Sequence, residues 1–446
     1  LLYKLRFMVP IDKKITAEEI FYSVLKAVDP YELIKSYRDN ILSVYRSYNS
    51  KRLLAVGFGK SACQMAKGIE DTVWDLIESG IVITKYGHCL SSYKPKKIQI
   101  YEAGHPVPDE NGLKGTKEII RLLKDSDENT LLLCLISGGG SALLISPYKG
   151  ITLEGKQKVT DLLLRAGASI VEINTVRKHI SSVKGGRLAE LAYPAKIVSL
   201  ILSDVIGNRM DVIASGPTSP DSTTFADALK VLEKYSLLDK SPQTVLEILN
   251  KGDNVLIPET PKEGDKIFEK VDNIIIGSNK KSLKAAKSTA EKLGFHAEIL
   301  SSEISGEAKD VGRWLAKKSI ELHKDLYAKH NKKICFISGG ETTVTVKGNG
   351  LGGRNMELAL SFAMEIEGID GITLLSVGTD GTDGPTDAAG AIVDGETIKK
   401  AKAFGLDPEK YLENNDSYNF FKKIDGLFVT GPTGTNVMDI QIIVVE

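Results

Sequence analysis

Short apolar runs that end in glycine turns and lead into helical patterns recur along this chain, and they restrict it to a layered α/β architecture. Leu131-Leu-Leu-Cys-Leu-Ile-Ser137 ends in Gly138-Gly-Gly140, and Ser141-Ala-Leu-Leu opens a helix. Lys51-Arg-Leu-Leu-Ala-Val-Gly57 leads into helical spacing over residues 60–69. Residues 81–85, 97–102 and 197–203 read as further strands. Strands apolar on both faces and separated by helices call for a parallel sheet covered on both sides. The first domain is therefore expected to be doubly wound α/β.

At 446 residues the chain exceeds the size at which one core keeps growing, so two domains are expected. Charges, prolines and glycines collect over residues 239–270, which read as the route between domains. The resulting division is 1–255 and 256–446. Beyond it the alternation restarts with Asn273-Ile-Ile-Ile-Gly277, helices over about 280–293 and 307–329, and a strand at 333–338 that ends in Gly339-Gly-Glu-Thr342. The last run, Met438-Asp-Ile-Gln-Ile-Ile-Val-Val445, alternates as a half-buried strand.

The 58 basic and 58 acidic side chains cancel, which argues against a nucleic-acid partner. No apolar run approaches the ~20 residues needed to span a bilayer. Residues 1–9 interleave charge with apolar residues and carry no small-residue cleavage site, so they do not read as a signal peptide. The four cysteines share no C-x-x-C spacing. Cys134 and Cys335 sit in apolar runs and read as reduced and buried, which favours the cytoplasm. The six histidines lack the spacing of a zinc site, and His105, just before Pro106, reads as a loop residue.

Gly57-Phe-Gly-Lys-Ser-Ala62 has the setting of a dinucleotide fingerprint, but no acid follows at the end of the next strand, which offers Lys85, Tyr86, Gly87 and His88. NAD loses support; NADP stays open. Leu54 stands where a P-loop needs its first glycine, so the motif is not a Walker loop either. What remains is Lys60 at a helix start, flanked by Gly59 and Ser61, a place suited to an anion. Ser137-Gly-Gly-Gly-Ser141 lets backbone amides approach a ligand, and phosphate is the usual one. It departs from the G-x-S-x-G elbow, so Ser141 is a poor hydrolase nucleophile. Lys184 and Arg187 flank the glycine pair at 185–186, and Arg354 follows Gly352-Gly353. An arginine at a helix start opposes the helix dipole unless an anion is near; pairing with Glu357 is the alternative. Asp204 ends a strand, where a metal-binding or catalytic carboxylate or a helix cap belongs.

Gly378-Thr-Asp-Gly-Thr-Asp-Gly-Pro-Thr-Asp-Ala-Ala-Gly390 packs Asp380, Asp383 and Asp387 behind an apolar strand. Carboxylates that close repel one another unless a cation or hydrogen-bond donors offset them, and Mg2+ fits oxygen ligands beside phosphates. The alternative is a polar turn whose aspartates cap backbone amides.

The motifs G-F-G-K-S-A at 57, L-I-S-G-G-G-S-A-L-L at 135, V-R-K-H-I-S-S-V-K-G-G-R-L-A at 176 and S-D-V at 203 resemble the N-terminal half of the glycerate 2-kinase family. I-S-G-G-E-T-T-V at 337, G-G-R-N-M-E-L-A-L at 352 and G-T-D-G-T-D-G-P-T-D-A-A-G-A at 378 resemble its C-terminal MOFRL domain. The match runs in order over about residues 14–446. The resemblance implies a Rossmann-like domain, a smaller α/β MOFRL-type domain and an active site in the cleft between them. It also implies ATP- and Mg2+-dependent phosphorylation of D-glycerate at the 2-hydroxyl, giving 2-phosphoglycerate and ADP. Some relatives are labelled hydroxypyruvate reductases, so an NAD(P)H-dependent reductase is the alternative.

On this reading Lys60, Arg354, Asp204, Asp380 and Asp383 are the catalytic candidates. Gly59, Ser61, Ser137, Gly138, Gly139, Gly140, Ser141, Lys184, Arg187 and Glu341 would bind substrate or nucleotide. Asp204, Asp380 and Asp387 are the metal candidates; which aspartate holds metal and which accepts the hydroxyl proton stays open. The partners are small molecules, and the chain is expected to be a monomer or homodimer.

Overall fold

The computed structural model describes residues 13–89, 92–329 and 333–446; the reading of residues 1–9 lies outside them. The chain divides into two compact units, Pro30–Ile276 and Gly277–Glu446 joined by the segment up to Asp29.

The first unit is built on a six-stranded sheet: β1 Arg52–Phe58, β2 Ile77–Lys85, β3 Ile98–Ala103, β4 Thr130–Ile136, β5 Lys196–Ser203 and β6 Val271–Ser278, in the order β3-β2-β1-β4-β5-β6. The pairings from β3 through β5 are all parallel. Alternate residues of one strand feed two cores. Leu54, Val56 and Phe58 of β1 pack with Leu132, Cys134 and Ile136 of β4 on one face. Leu53 and Ala55 pack with Leu131, Leu133 and Leu135 on the other. This is the doubly covered sheet the apolar runs require. A third core lies among the helices Leu153–Arg165, Ile170–His179, Phe225–Lys234 and Gln243–Asp253. Ser169 and Thr224 start two of these with capping boxes, satisfying amides that the first turn leaves without partners.

The second unit has a mixed sheet: β7 His296–Ile304, β8 Ile334–Gly340, β9 Ile372–Gly378, β10 Gly390–Asp394, β11 Leu427–Phe428 and β12 Asp439–Val445, in the order β11-β10-β9-β12-β8-β7. β7 runs parallel to β8, while β12 lies antiparallel between β8 and β9. The half-buried strand expected at 438–445 is thus a central one, buried at all seven positions of β12. Its polar Gln441 is accommodated because its amide oxygen accepts from Ser338 Oγ at 2.9 Å.

The division differs from the expected 255/256. Residues 256–276 stay with the first unit because buried polar contacts hold them there. Glu259 pairs with His179 at 3.0 Å, and Thr260 Oγ1 donates to Asp221 at 3.1 Å. At the other end, the helix Lys13–Ala27 lays Ala17, Ile20, Phe21 and Val24 into the core beneath β12, with Ile440, Ile442 and Val444.

Cys134 and Cys335 are free and buried as expected. Cys63 and Cys89 are bonded to each other, a pair their spacing does not reveal. Among the described residues no helix is long and apolar enough to cross a membrane.

Gly59 tests the packing of β1 against β4. Its φ of 131° lies where side chains are strained, and an added Cβ would run into the backbone and hydroxyl of Ser137. Gly59→Ala should therefore lower the Tm and cost at least ~2 kcal/mol in denaturant unfolding. Wild-type stability would show that the two turns do not touch.

Candidate active site

In the first unit the candidate residues gather at the C-terminal ends of β1, β4 and β5, where open α/β sheets bind ligands. The turn after β1 is locked onto the turn after β4. Lys60 N–H donates to the Gly138 carbonyl at 2.8 Å, and Ser61 N–H donates to Ser137 Oγ at 3.0 Å. These amides were expected to serve an anion, but they are satisfied internally. At this turn the Lys60 side chain, not these amides, remains the anion-binding candidate. Its stem passes over Gly139, where a Cβ would stand 3.4 Å from Lys60 Cγ and 2.9 Å from the His105 ring. Burial, then Lys60 and Lys85, push His105 down to about 4, which keeps the imidazole neutral beside the lysine.

Behind this turn opens a cavity of about 660 Å³. Gly139, Gly140, Ser141 and Asp204 stand in its wall, so the structure brings these candidates together. Ser141 Oγ lies 2.9 Å from Ser215 Oγ, which donates to Asn174 Oδ1 at 3.0 Å. Ala214 and Ser215 adopt φ of 51° and 63°, left-handed values that side chains avoid and that concentrate at functional sites. Lys184 is fully buried behind them, donating to the Ala214 carbonyl at 3.4 Å.

Arg187 is not part of this wall. Its guanidinium donates to the Pro258 carbonyl at 3.3 Å and lies over the Tyr148 ring, so it fastens the 258 loop. The cavity also contains residues the motif reading missed: His105, Lys156, Asn174 and Arg177. Lys156 did leave a signal. It shares the buried face of its helix with Leu153, Val159 and Leu163, a charged residue in an apolar stripe.

In the second unit Arg354 opens the helix Arg354–Glu365. The anion it needs there is supplied by the protein. Arg354 Nε and Nη2 donate to Asp439 at 2.5 and 3.0 Å, and Nη1 pairs with Glu341 at 2.9 Å. Burial alone would lower the Arg354 pKa, but Asp439 and then Glu341 outweigh it and raise it. Three of five N–H groups are thus engaged in a side chain that remains 36% exposed. Glu357, the expected alternative partner, takes Asn415 at 3.0 Å instead. Asp439, missed in the sequence, is the first residue of β12. It faces Gly340 on one side and Gly378 on the other, so it sits between the two glycine loops. An acid opening an apolar strand was the available clue.

The three aspartates of the acidic loop each have hydrogen-bond partners of their own. Asp383 is buried and accepts from the N–H groups of Asn355 at 3.1 Å and Met356 at 2.8 Å, capping the helix that carries Arg354. Asp383, a catalytic candidate in the sequence, thus positions the start of this helix. Asp380 accepts from Thr382 N–H and Oγ1 at 3.2 and 3.1 Å. Asp387 is exposed and accepts from Tyr418 at 2.8 Å. Among the described residues no three His, Cys, Asp or Glu side chains converge as a metal site.

Residues 16–250 match a domain of unknown function, DUF4147, and residues 334–439 match the MOFRL family. A D-glycerate 2-kinase of Thermotoga maritima is 49% identical over 97% of this chain and 98% of its own length. The chain belongs to the glycerate kinase family. A glycerate 2-kinase of Pyrococcus horikoshii is 43% identical, with 98% of both chains covered. A putative hydroxypyruvate reductase of Agrobacterium vitis is 41% identical over 88% of this chain and 87% of its own. The crystal structure of a Thermotoga maritima glycerate kinase superposes with a TM-score of 0.87 at 48% identity, covering 98% of this chain and all of that one. The glycerate kinase family thus accounts for both units.

Burial raises Asp383 to about 7, against two amide donors that favour its charged form. The folded protein then holds a proton that the unfolded chain has released between pH about 4 and 7. Stability from this group is present below that window and is lost as pH rises through it. Asp383→Asn should flatten this part of the pH–stability curve in denaturant unfolding; an unchanged slope would place the titration elsewhere.

Proposed function

We propose that the protein is a glycerate 2-kinase that uses ATP and Mg2+ to phosphorylate D-glycerate at its 2-hydroxyl. The observation that carries this reading is family membership over nearly the whole chain, and the chemistry of the residues agrees with it. Phosphoryl transfer asks for positioning and charge neutralisation more than covalent catalysis. Lys60 and the Arg354 guanidinium supply positive charge for phosphate and carboxylate oxygens.

In the transfer the glycerate 2-oxygen bonds to the γ-phosphorus as the bond to the β,γ-bridging oxygen breaks, leaving ADP. The hydroxyl proton passes to a carboxylate, for which Asp204 and Asp380 are the candidates; Asp383 is committed to its two amides. Mg2+ binds through one or two carboxylates with phosphates and waters, so it needs no three-carboxylate cage. Asp204, in the cavity wall near Gly139 and Ser141, fits that requirement and would hold the ion. When bound, Mg2+ would neutralise charge on the phosphates. We take the enzyme to act in the cytoplasm as a monomer or homodimer.

A coupled assay should show ADP formation that depends on both D-glycerate and Mg2+, with 2-phosphoglycerate resolved from its 3-isomer. NAD(P)H oxidation with hydroxypyruvate, and no ADP, would replace this reading with the reductase. Lys60→Ala and Arg354→Ala should each lower kcat/KM by at least ~100-fold. Near-normal turnover in either variant would remove that residue from the site.

A further inference from the structure

The cavity of the first unit holds basic side chains for which the described residues supply no counterion. Lys156 comes from the helix Leu153–Arg165, and Arg177 from the helix Ile170–His179. Both line the cavity, and Lys184 is buried next to it, against Ala214 in the same wall. Lys156 is only 4% exposed, and its Nζ reaches no more than the Ile180 carbonyl at 3.5 Å. Among the described residues none of the three cations has a carboxylate within ion-pair distance, and Asp161 in the same wall is taken by Arg165 at 2.8 Å. Burial and Arg177 push Lys156 down to about 7, and burial, Lys156 and Arg177 lower Lys184. Desolvated like charges this close cost stability, and a multivalent anion offsets that cost.

The remaining walls narrow the choice of anion. Ile145, Leu153, Leu164, Ile170 and Val212 give the cavity a broad apolar side. A three-carbon hydroxy acid has no use for such a surface, fills little of about 660 Å³, and brings a single negative charge. A purine nucleotide uses both features: an apolar ring for the wall and a polyphosphate chain for Lys156 and Arg177. The Ser141–Ser215–Asn174 chain adds polar groups, and the strained backbone at Ala214 and Ser215 holds two of these contacts in place.

We propose that this cavity is the nucleotide site, with the base against Leu153, Leu164 and Ile170 and the polyphosphate held by Lys156 and Arg177. Lys184 supports the phosphate end from behind. The inference rests on the kinase reading for the identity of the nucleotide as ATP, and its test separates the two.

The variants are Lys156→Met and Arg177→Gln in the full chain, which keep most of each side chain's length and remove its charge. Each should raise the KM for ATP and the calorimetric Kd for ADP with Mg2+ by at least ~10-fold, the worth of one charge-assisted hydrogen bond. The KM for D-glycerate should stay within about twofold of wild type. Removing a desolvated, unpaired cation should leave the Tm of the ligand-free protein unchanged or higher, so weaker binding with a retained Tm is not misfolding. Unchanged ADP affinity in both variants overturns the inference. So does a raised KM for D-glycerate with ATP unaffected, which makes the cavity the acceptor site and leaves the kinase reading intact. If wild type binds ADP, the variants do not, and no glycerate-dependent ADP forms, the nucleotide site stands and the kinase reading falls.

Discussion

Direct contact between neighbouring strand-end turns is the constraint on which the candidate residues depend. In the first unit Gly59 leaves no room for a side chain against Ser137. In the second unit Gly353 is packed on Asp383 and Gly340 on the backbone of Ile304 in the same way. Glycine permits an approach that any Cβ prevents, and main-chain contact then fixes the spacing of the turns. Lys60, held between two such turns, inherits its position from the backbone. Arg354 does so too, since Asp383 holds the first amides of its helix while Gly353 packs on the same aspartate. Precision of this kind is what a site needs from its scaffold.

Within that frame, desolvation sorts the charged groups into two classes. Buried Asp439 is matched by Arg354, Lys178 by Asp221 at 3.1 Å, and Lys196 by Asp272 at 2.8 Å. These pairs compensate themselves, and truncating one partner would leave a buried charge without its counterion. Lys156, Arg177 and Lys184 have no such acid among the described residues. Both classes are buried, so burial alone does not separate structure from function here. The proposed nucleotide site rests instead on the difference in counterions, because an uncompensated buried charge persists where something else meets it.

Much of the fold was legible because it is written locally. Strands β1, β4 and β5, the glycine turns after them, and the helices near 280–293 and 307–329 follow from apolar runs, period and breakers. What could not be read depends on partners far along the chain. Nothing within residues 13–27 says that this helix packs with β12, and nothing local holds residues 259–260 to His179 and Asp221. The strand at 439–445 alternates as if one face met solvent. Only its placement between β8 and β9, with Ser338 to satisfy Gln441, makes it fully buried. The site shows the same split. Glycine-flanked Lys60, Ser141 and Arg354 stand out in a linear reading, whereas the Arg354–Asp439 pair joins residues 85 positions apart. Lys156 and Arg177 become a pair only once two helices bring them to one wall.

The acidic loop shows why density of charge is a weaker guide than lack of compensation. Three aspartates in eight residues suggest a cation because their mutual repulsion must be relieved. Hydrogen-bond donors can also oppose it, and the fold supplies them separately: two amides for Asp383, Thr382 for Asp380, Tyr418 for Asp387. Each carboxylate thereby acquires a partner of its own. Short acidic side chains reach backbone amides easily, and glycine-rich turns provide many of them. Long basic side chains carried into a cavity have no comparable local remedy, since a carbonyl at 3.5 Å is a poor substitute for a counterion. The charges that invite a ligand are therefore the cations for which the described residues supply no acid.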